Sequence, residues 1–183
     1  MFLLGILLAC VEPETEYVTE TETVTIEEDL CASILGHQPC DFATFDENGS
    51  EVYFSDLMGK PVILDLSTMW CGPCNVAAED VQAVQNAYPG LTYLTVLIEN
   101  FEGDAPIYTD LQDWEILHNI TTAPTWGGSR DLVTADPIET AGEFYLGGWP
   151  TFYFLDEELR VVGYQRGFDQ SAIEAWAQSL INQ

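Results

Sequence analysis

The stretch that most limits what this chain can become is residues 62–74, Val-Ile-Leu-Asp-Leu-Ser-Thr-Met-Trp-Cys-Gly-Pro-Cys. The apolar run from Val62 to Leu66 reads as a strand, and a short turn follows it. Apolar residues then recur at Val76, Ala77, Val81, Val84 and Tyr88, close to helical spacing, until Pro89-Gly90 ends the pattern. Cys71 and Cys74 therefore stand at a strand end and a helix start. The first N–H groups of a helix lack intrahelical partners and carry positive partial charge. A cysteine placed there is held toward its thiolate, the nucleophile of disulfide exchange. Cys74, one turn later, lies on the same face and can close a ring with Cys71. Pro73 has no N–H to lose, which suits a first helical turn. A C-x-x-C in this setting reads as a redox pair. The competing uses are an inert structural disulfide and half of a zinc site, for which Cys31, Cys40, His37 and His118 are the remaining candidate ligands.

Three further positions sharpen the reading. Asp65 lies six residues before Cys71, Trp70 directly precedes it, and Trp149-Pro150-Thr151 opens another strand-like run far downstream. With W-C-G-P-C, these resemble the thioredoxin superfamily. The lead-in Gly59-Lys60-Pro61 makes the chain look most like its membrane-anchored thiol-disulfide oxidoreductases of the TlpA/ResA type, over residues 36–181. The resemblance implies a thioredoxin-like α/β fold, a mixed central sheet flanked by helices on both faces. It also implies roles. Cys71 attacks, Cys74 resolves, and Asp65 is a buried acid beneath them that takes the Cys74 proton. Pro150 is cis in a loop facing the cysteines, and Trp149 offers backbone hydrogen bonds to a bound peptide. Trp70, Gly72 and Pro73 belong to the same substrate surface. Glu99 ends the next strand, where ResA-type proteins carry an active-site acid. An aspartate at position 65 leans toward thioredoxin itself rather than TlpA/ResA. No cofactor or metal is implied.

The charge is unusual: 31 acids against four bases, a net charge of −27. That excludes nucleic-acid binding, which needs Lys and Arg to neutralise phosphates. It also opposes adsorption to anionic lipid headgroups. It fits either a highly solvated surface suited to high salt or an acidic docking face for a basic partner.

Residues 1–9 are an apolar run too short to span a bilayer and resemble the hydrophobic part of a signal peptide. Leu7-Leu8-Ala9-Cys10 resembles a bacterial lipobox, with Cys10 as the lipidated residue, although no Lys or Arg precedes the run. Residues 10–30 read as that cysteine followed by an acidic, Glu/Thr-rich tether, and residues 31–183 as one domain. Fully stretched, the tether reaches at most about 60–70 Å. Cys31 and Cys40 are read as a structural disulfide, with a second redox pair and free thiols left open; His37 between them offers a weak copper site.

Strands are expected at Phe42–Phe45, Glu51–Phe54, Val62–Ser67, Leu91–Ile98, Phe152–Leu155 and Val161–Gln165. Helices are expected from Cys74, over Ile107–Asn119 with Ile107, Leu111, Trp114 and Leu117 on one side, and over Ser171–Ile181. Residues 121–148 read as loop with one short element near Thr134–Glu139. The functional expectation is an exported, lipid-anchored thiol-disulfide oxidoreductase in the cell envelope. It would exchange disulfides with other exported proteins and draw on a membrane or soluble electron donor. The alternatives are a copper- or metal-binding chaperone of the same fold, and a redox-silent adaptor.

Overall fold

The structure is a computed structural model that describes residues 31–136 and 144–182. The expected signal segment, Cys10 and the tether lie outside the described residues.

A hairpin of β1 (Ala43–Phe45) and β2 (Glu51–Tyr53) leads through a 3-10 turn (Phe54–Leu57) into β3 (Val62–Thr68). Then come α1 (Gly72–Ala87), β4 (Thr92–Glu99), α2 (Tyr108–His118) and β5 (Thr125–Gly127). A 3-10 turn (Arg130–Leu132), β6 (Val133–Thr134) and β7 (Phe144–Tyr145) precede the closing hairpin of β8 (Thr151–Leu155) and β9 (Val161–Arg166), and α3 (Gln170–Leu180) ends the fold. The main sheet has the order β5-β4-β3-β8-β9. Strands β3, β4 and β5 are parallel, and β8 and β9 add antiparallel at the other side.

This order decides where the helices go. The crossovers β3–α1–β4 and β4–α2–β5 step across the sheet in the same direction. Right-handed crossovers then put α1 and α2 on one face, and α3 packs beside α1. The core confirms it. Ile63, Tyr93, Leu97, Phe152 and Phe154 meet Ala77 and Val81 of α1, Leu111 and Trp114 of α2, and Ile173 and Ala177 of α3. The alternate residues Val62, Leu64, Leu66, Leu94, Val96 and Ile98 meet Phe54, Trp126, Phe144 and Leu159. Both faces are covered, which is why β3 and β4 read as continuous apolar runs. Among the described residues, helical cover of the second face comes from the two 3-10 turns, whose Leu57 and Leu132 pack there.

Two local readings change. The span expected to be loop contains β5, whose Thr125 and Trp126 pair with Thr95 and Val96. Two residues between Pro124 and the Gly127-Gly128 pair are too few to show a period; the open edge of β4 makes Thr125–Gly127 a strand. On α2, Ile107 and Leu117 are exposed rather than on the buried side. Ile107 is the extended N-cap, outside the helical line. The inward stripe runs Leu111, Trp114 and His118, at i, i+3 and i+7.

Candidate active site

The site forms where β3 ends and α1 begins. Cys71 is the extended N-cap of α1, and its Sγ accepts a hydrogen bond from the Cys74 N–H at 3.2 Å. Cys71 and Cys74 are joined as a disulfide with Cα atoms 5.2 Å apart, and both are buried. Gly72 and Pro73 form the first turn between them.

Strand alternation aims Ile63, Asp65 and Ser67 toward the helical side, into the cluster that holds both cysteines. Asp65 is fully buried. Its Oδ1 accepts the Ser67 hydroxyl at 2.6 Å, and Oδ2 has no hydrogen-bond partner. Burial pushes its pKa from 3.8 up to about 7, and the Ser67 hydrogen bond only partly opposes that. No hydrogen bond links Asp65 to either cysteine in this disulfide state; neither sulfur has a proton to share.

The rim is a closed ring of four side chains. Trp70, 47% exposed, donates its indole N–H to Glu99 Oε2 at 2.8 Å. Arg130 Nε donates to Glu99 Oε1. The Arg130 guanidinium lies 5.4 Å from the Trp149 ring centre, and Trp149 meets Trp70 edge to face at 6.4 Å. The Arg130 hydrogen bond holds the Glu99 carboxyl below its usual range, against a weaker upward push from burial. Both Glu99 oxygens are therefore engaged, and the residue is a strut of the rim. Its carbonyl also receives the Met69 N–H at 3.0 Å, which pins the turn before Cys71.

The Trp149–Pro150 bond is cis, and the Pro150 carbonyl accepts the Gly167 N–H at 2.8 Å. Among the described residues, the N–H and C=O of Trp149 make no hydrogen bond.

Asn75 and His118 form a network the sequence reading did not find. Asn75 Nδ2 donates to the carbonyls of Met69 and Cys71 at 2.9 and 2.8 Å. Its Oδ1 lies 3.2 Å from His118 Nε2. Because the amide nitrogen faces two carbonyls, its oxygen faces His118, and Nε2 carries the proton there. Burial lowers the His118 pKa, and its ring packs 4.3 Å from Trp114. The inward stripe of α2 is the only sequence signal for this, and it required Ile107 and Leu117 to be left out.

Cys31 and Cys40 are joined as a second disulfide, with Cα atoms 4.7 Å apart. Their loop is fastened to the start of β9, where Gly36 donates to Val161 O and Gln38 to Glu158 O. That is the end of the sheet where β3 begins, since Val62 pairs with Leu155. Cys71 follows the opposite end, about 20 Å away at about 3.3 Å per residue. His37 Nδ1 faces Leu35 O. Among the described residues, no group of three or more Cys, His, Asp or Glu is placed to hold a metal ion, and no helix is long and apolar enough to cross a membrane.

No protein-family model matches the chain. Thioredoxin H4-2 of Oryza sativa subsp. japonica is 32% identical over 68 residues, 37% of this chain and 44% of that protein. The chain thus covers less than half the length of this curated relative. Among solved structures, a secreted thiol-disulfide isomerase from Corynebacterium glutamicum is similar with a TM-score of 0.63 at 19% identity, covering 80% of this chain and 86% of that one. The exposed lipoprotein thioredoxin of Streptococcus pneumoniae is similar with a TM-score of 0.57 at 24% identity, covering 77% of this chain and 100% of that one. At these identities the likeness is one of architecture: the chain has a thioredoxin-like fold.

Proposed function

We propose that this protein is an exported, lipid-anchored thiol-disulfide oxidoreductase acting on disulfides of other exported proteins. The observation that carries the reading is the Cys71–Cys74 disulfide at the N-terminus of α1, beside the cis Trp149–Pro150 loop. In the reduced protein, the Cys71 thiolate attacks one sulfur of a partner disulfide, and the partner's other sulfur leaves as a thiolate. Cys74 then gives its proton to Asp65 and attacks Cys71. The partner's remaining sulfur leaves, and the Cys71–Cys74 disulfide closes. Two electrons pass to the partner; the same steps in reverse oxidise a dithiol. Asp65, with a pKa of about 7, is half ionised near neutrality and can accept or return that proton. The N–H and C=O of Trp149, without a hydrogen bond among the described residues, suit short strand pairing with the partner segment.

Glu99 and Arg130 act here as rim struts. Lipid anchoring rests on Leu7-Leu8-Ala9-Cys10, and a dedicated electron donor would restore the dithiol. The metal-chaperone alternative loses two of its candidate ligands, because Cys31 and Cys40 are bonded to each other. The test is Cys74→Ser. Without the resolving thiol, reduced protein mixed with a disulfide peptide should accumulate a mixed disulfide, mapped by mass to Cys71. A peptide attached to Cys31 or Cys40, or no adduct at all, would reject the assignment.

A further inference from the structure

The four bases of this chain divide between the two ends of the sheet. Lys60 precedes β3, and Arg160 sits in the β8–β9 turn 3.9 Å from Glu158. Arg130 and Arg166 lie at the other end, on either side of the Gly147–Pro150 loop.

Arg166 ends β9 directly opposite Thr151, the residue after the cis proline. Its side chain runs along the two glycines before Trp149. A Cβ on Gly147 would lie 3.3 Å from Arg166 Cδ, and one on Gly148 would lie 2.7 Å from Nε and 3.2 Å from Nη2. Gly148 also has φ +146, a backbone conformation that L side chains rarely adopt. These glycines let the Arg166 side chain approach the loop closely. Arg166 is exposed, and among the described residues it has neither a hydrogen-bond acceptor nor an acidic partner. Arg130 is tied to Glu99 only through Nε, with 57% of its side chain exposed, so its terminal nitrogens remain available. The Arg130 guanidinium lies over the Trp149 ring and Arg166 packs against Gly148, the residue before it; among the described residues the Trp149 backbone N–H and C=O make no hydrogen bond.

A chain with 31 acids and four bases carries a field that repels carboxylates over most of its surface. Here two guanidiniums stand near the unpaired backbone of Trp149, next to the Cys71–Cys74 site. Resting on the exchange reading above, we infer that the partner segment docked along Trp149 carries carboxylate side chains next to its cysteine. Arg166 receives one, and the free end of Arg130 is available to a second. The inference makes the protein selective for acidic disulfide segments, and the selectivity is local rather than a property of net charge.

The experiment compares peptides of one length and one disulfide whose flanking positions are Glu, Gln or Lys. The rate constant for their reduction by the reduced protein is measured at about 0.15 M salt, where the Debye length of about 8 Å mutes the field of the distant acids. An exposed ion pair is worth about 1.5- to 5-fold. Wild type is therefore expected to reduce the Glu peptide about 2- to 10-fold faster than the Gln peptide. Arg166→Gln should shrink that ratio and Arg166→Glu should invert it, each ratio being taken within one protein so that a change in its overall rate cancels. A wild-type ratio of one or less, or one unchanged in Arg166→Gln, overturns the inference while reduction of the Gln peptide keeps the exchange reading. Failure of wild type to reduce any peptide overturns both.

Discussion

Asp65→Asn isolates the cost of burying one carboxyl. In the unfolded chain this group ionises near 3.8; in the fold, burial carries it to about 7. Between those values the unfolded state has lost the proton and the folded state still holds it. The native state then binds more protons, so stability falls as pH rises, and the loss is complete above pH 7. At about 1.36 kcal/mol per pH unit, the interval from 3.8 to about 7 comes to about 4 kcal/mol. Asparagine keeps the shape and does not titrate, but its amide N–H group lacks an acceptor, at a cost of about 1–3 kcal/mol. That cost does not depend on pH, so the difference between the two proteins carries the information. Urea unfolding of the disulfide form from pH 4 to pH 9 is the assay. Glu115, pushed to about 7 mainly by burial, titrates in the same window and cancels in the difference. Asp65→Asn should gain on wild type by about 4 kcal/mol between pH 4 and pH 8 and stay level above. A difference that is flat across the range would return Asp65 to an ordinary acidity and remove the base assigned to Cys74.

Other consequences are more local. In stopped-flow reduction of a peptide disulfide, Asp65→Asn should slow resolution by Cys74 about 10- to 100-fold at neutral pH while the first attack by Cys71 changes much less; a wild-type resolution rate would leave Asp65 a purely structural role. Asn75→Ala releases the carbonyls of Met69 and Cys71. It should cost about 1–2 kcal/mol and slow exchange, read by urea unfolding and peptide reduction together; unaltered stability and rate would dismiss the network with His118. Cys10→Ala should move the protein from the membrane to the soluble fraction, and unchanged partition would dismiss lipid anchoring.

The parts of this fold that sequence makes legible are those where one local signal repeats. β3 is an apolar run, α1 has helical spacing, and C-x-x-C marks the join. Asp65 stands out because an acid inside an apolar strand has nowhere to go but the core. Partners distant in sequence are different. Arg130 is visible as one of four bases, but nothing local says that it binds Glu99, 31 residues before it, or lies over Trp149. Asn75 meets His118 only once the right-handed crossovers have put α1 and α2 on the same face. β5 is a strand because β4 offers it an edge. The proximity of Cys31 and Cys40 in sequence suggested a pair, yet only the fold places that pair at the end of the sheet away from Cys71.

The most direct test of the account is equilibration of the folded protein in glutathione redox buffers, with the thiol state of each cysteine read by alkylation and peptide mass. Cys71 and Cys74 should open and close together, reversibly, as a two-electron couple in native protein, while Cys31–Cys40 stays bonded under buffers that fully reduce the first pair. Thiols at Cys71 and Cys74 that appear only after unfolding would contradict it, and would make this disulfide a structural brace instead of the site of exchange.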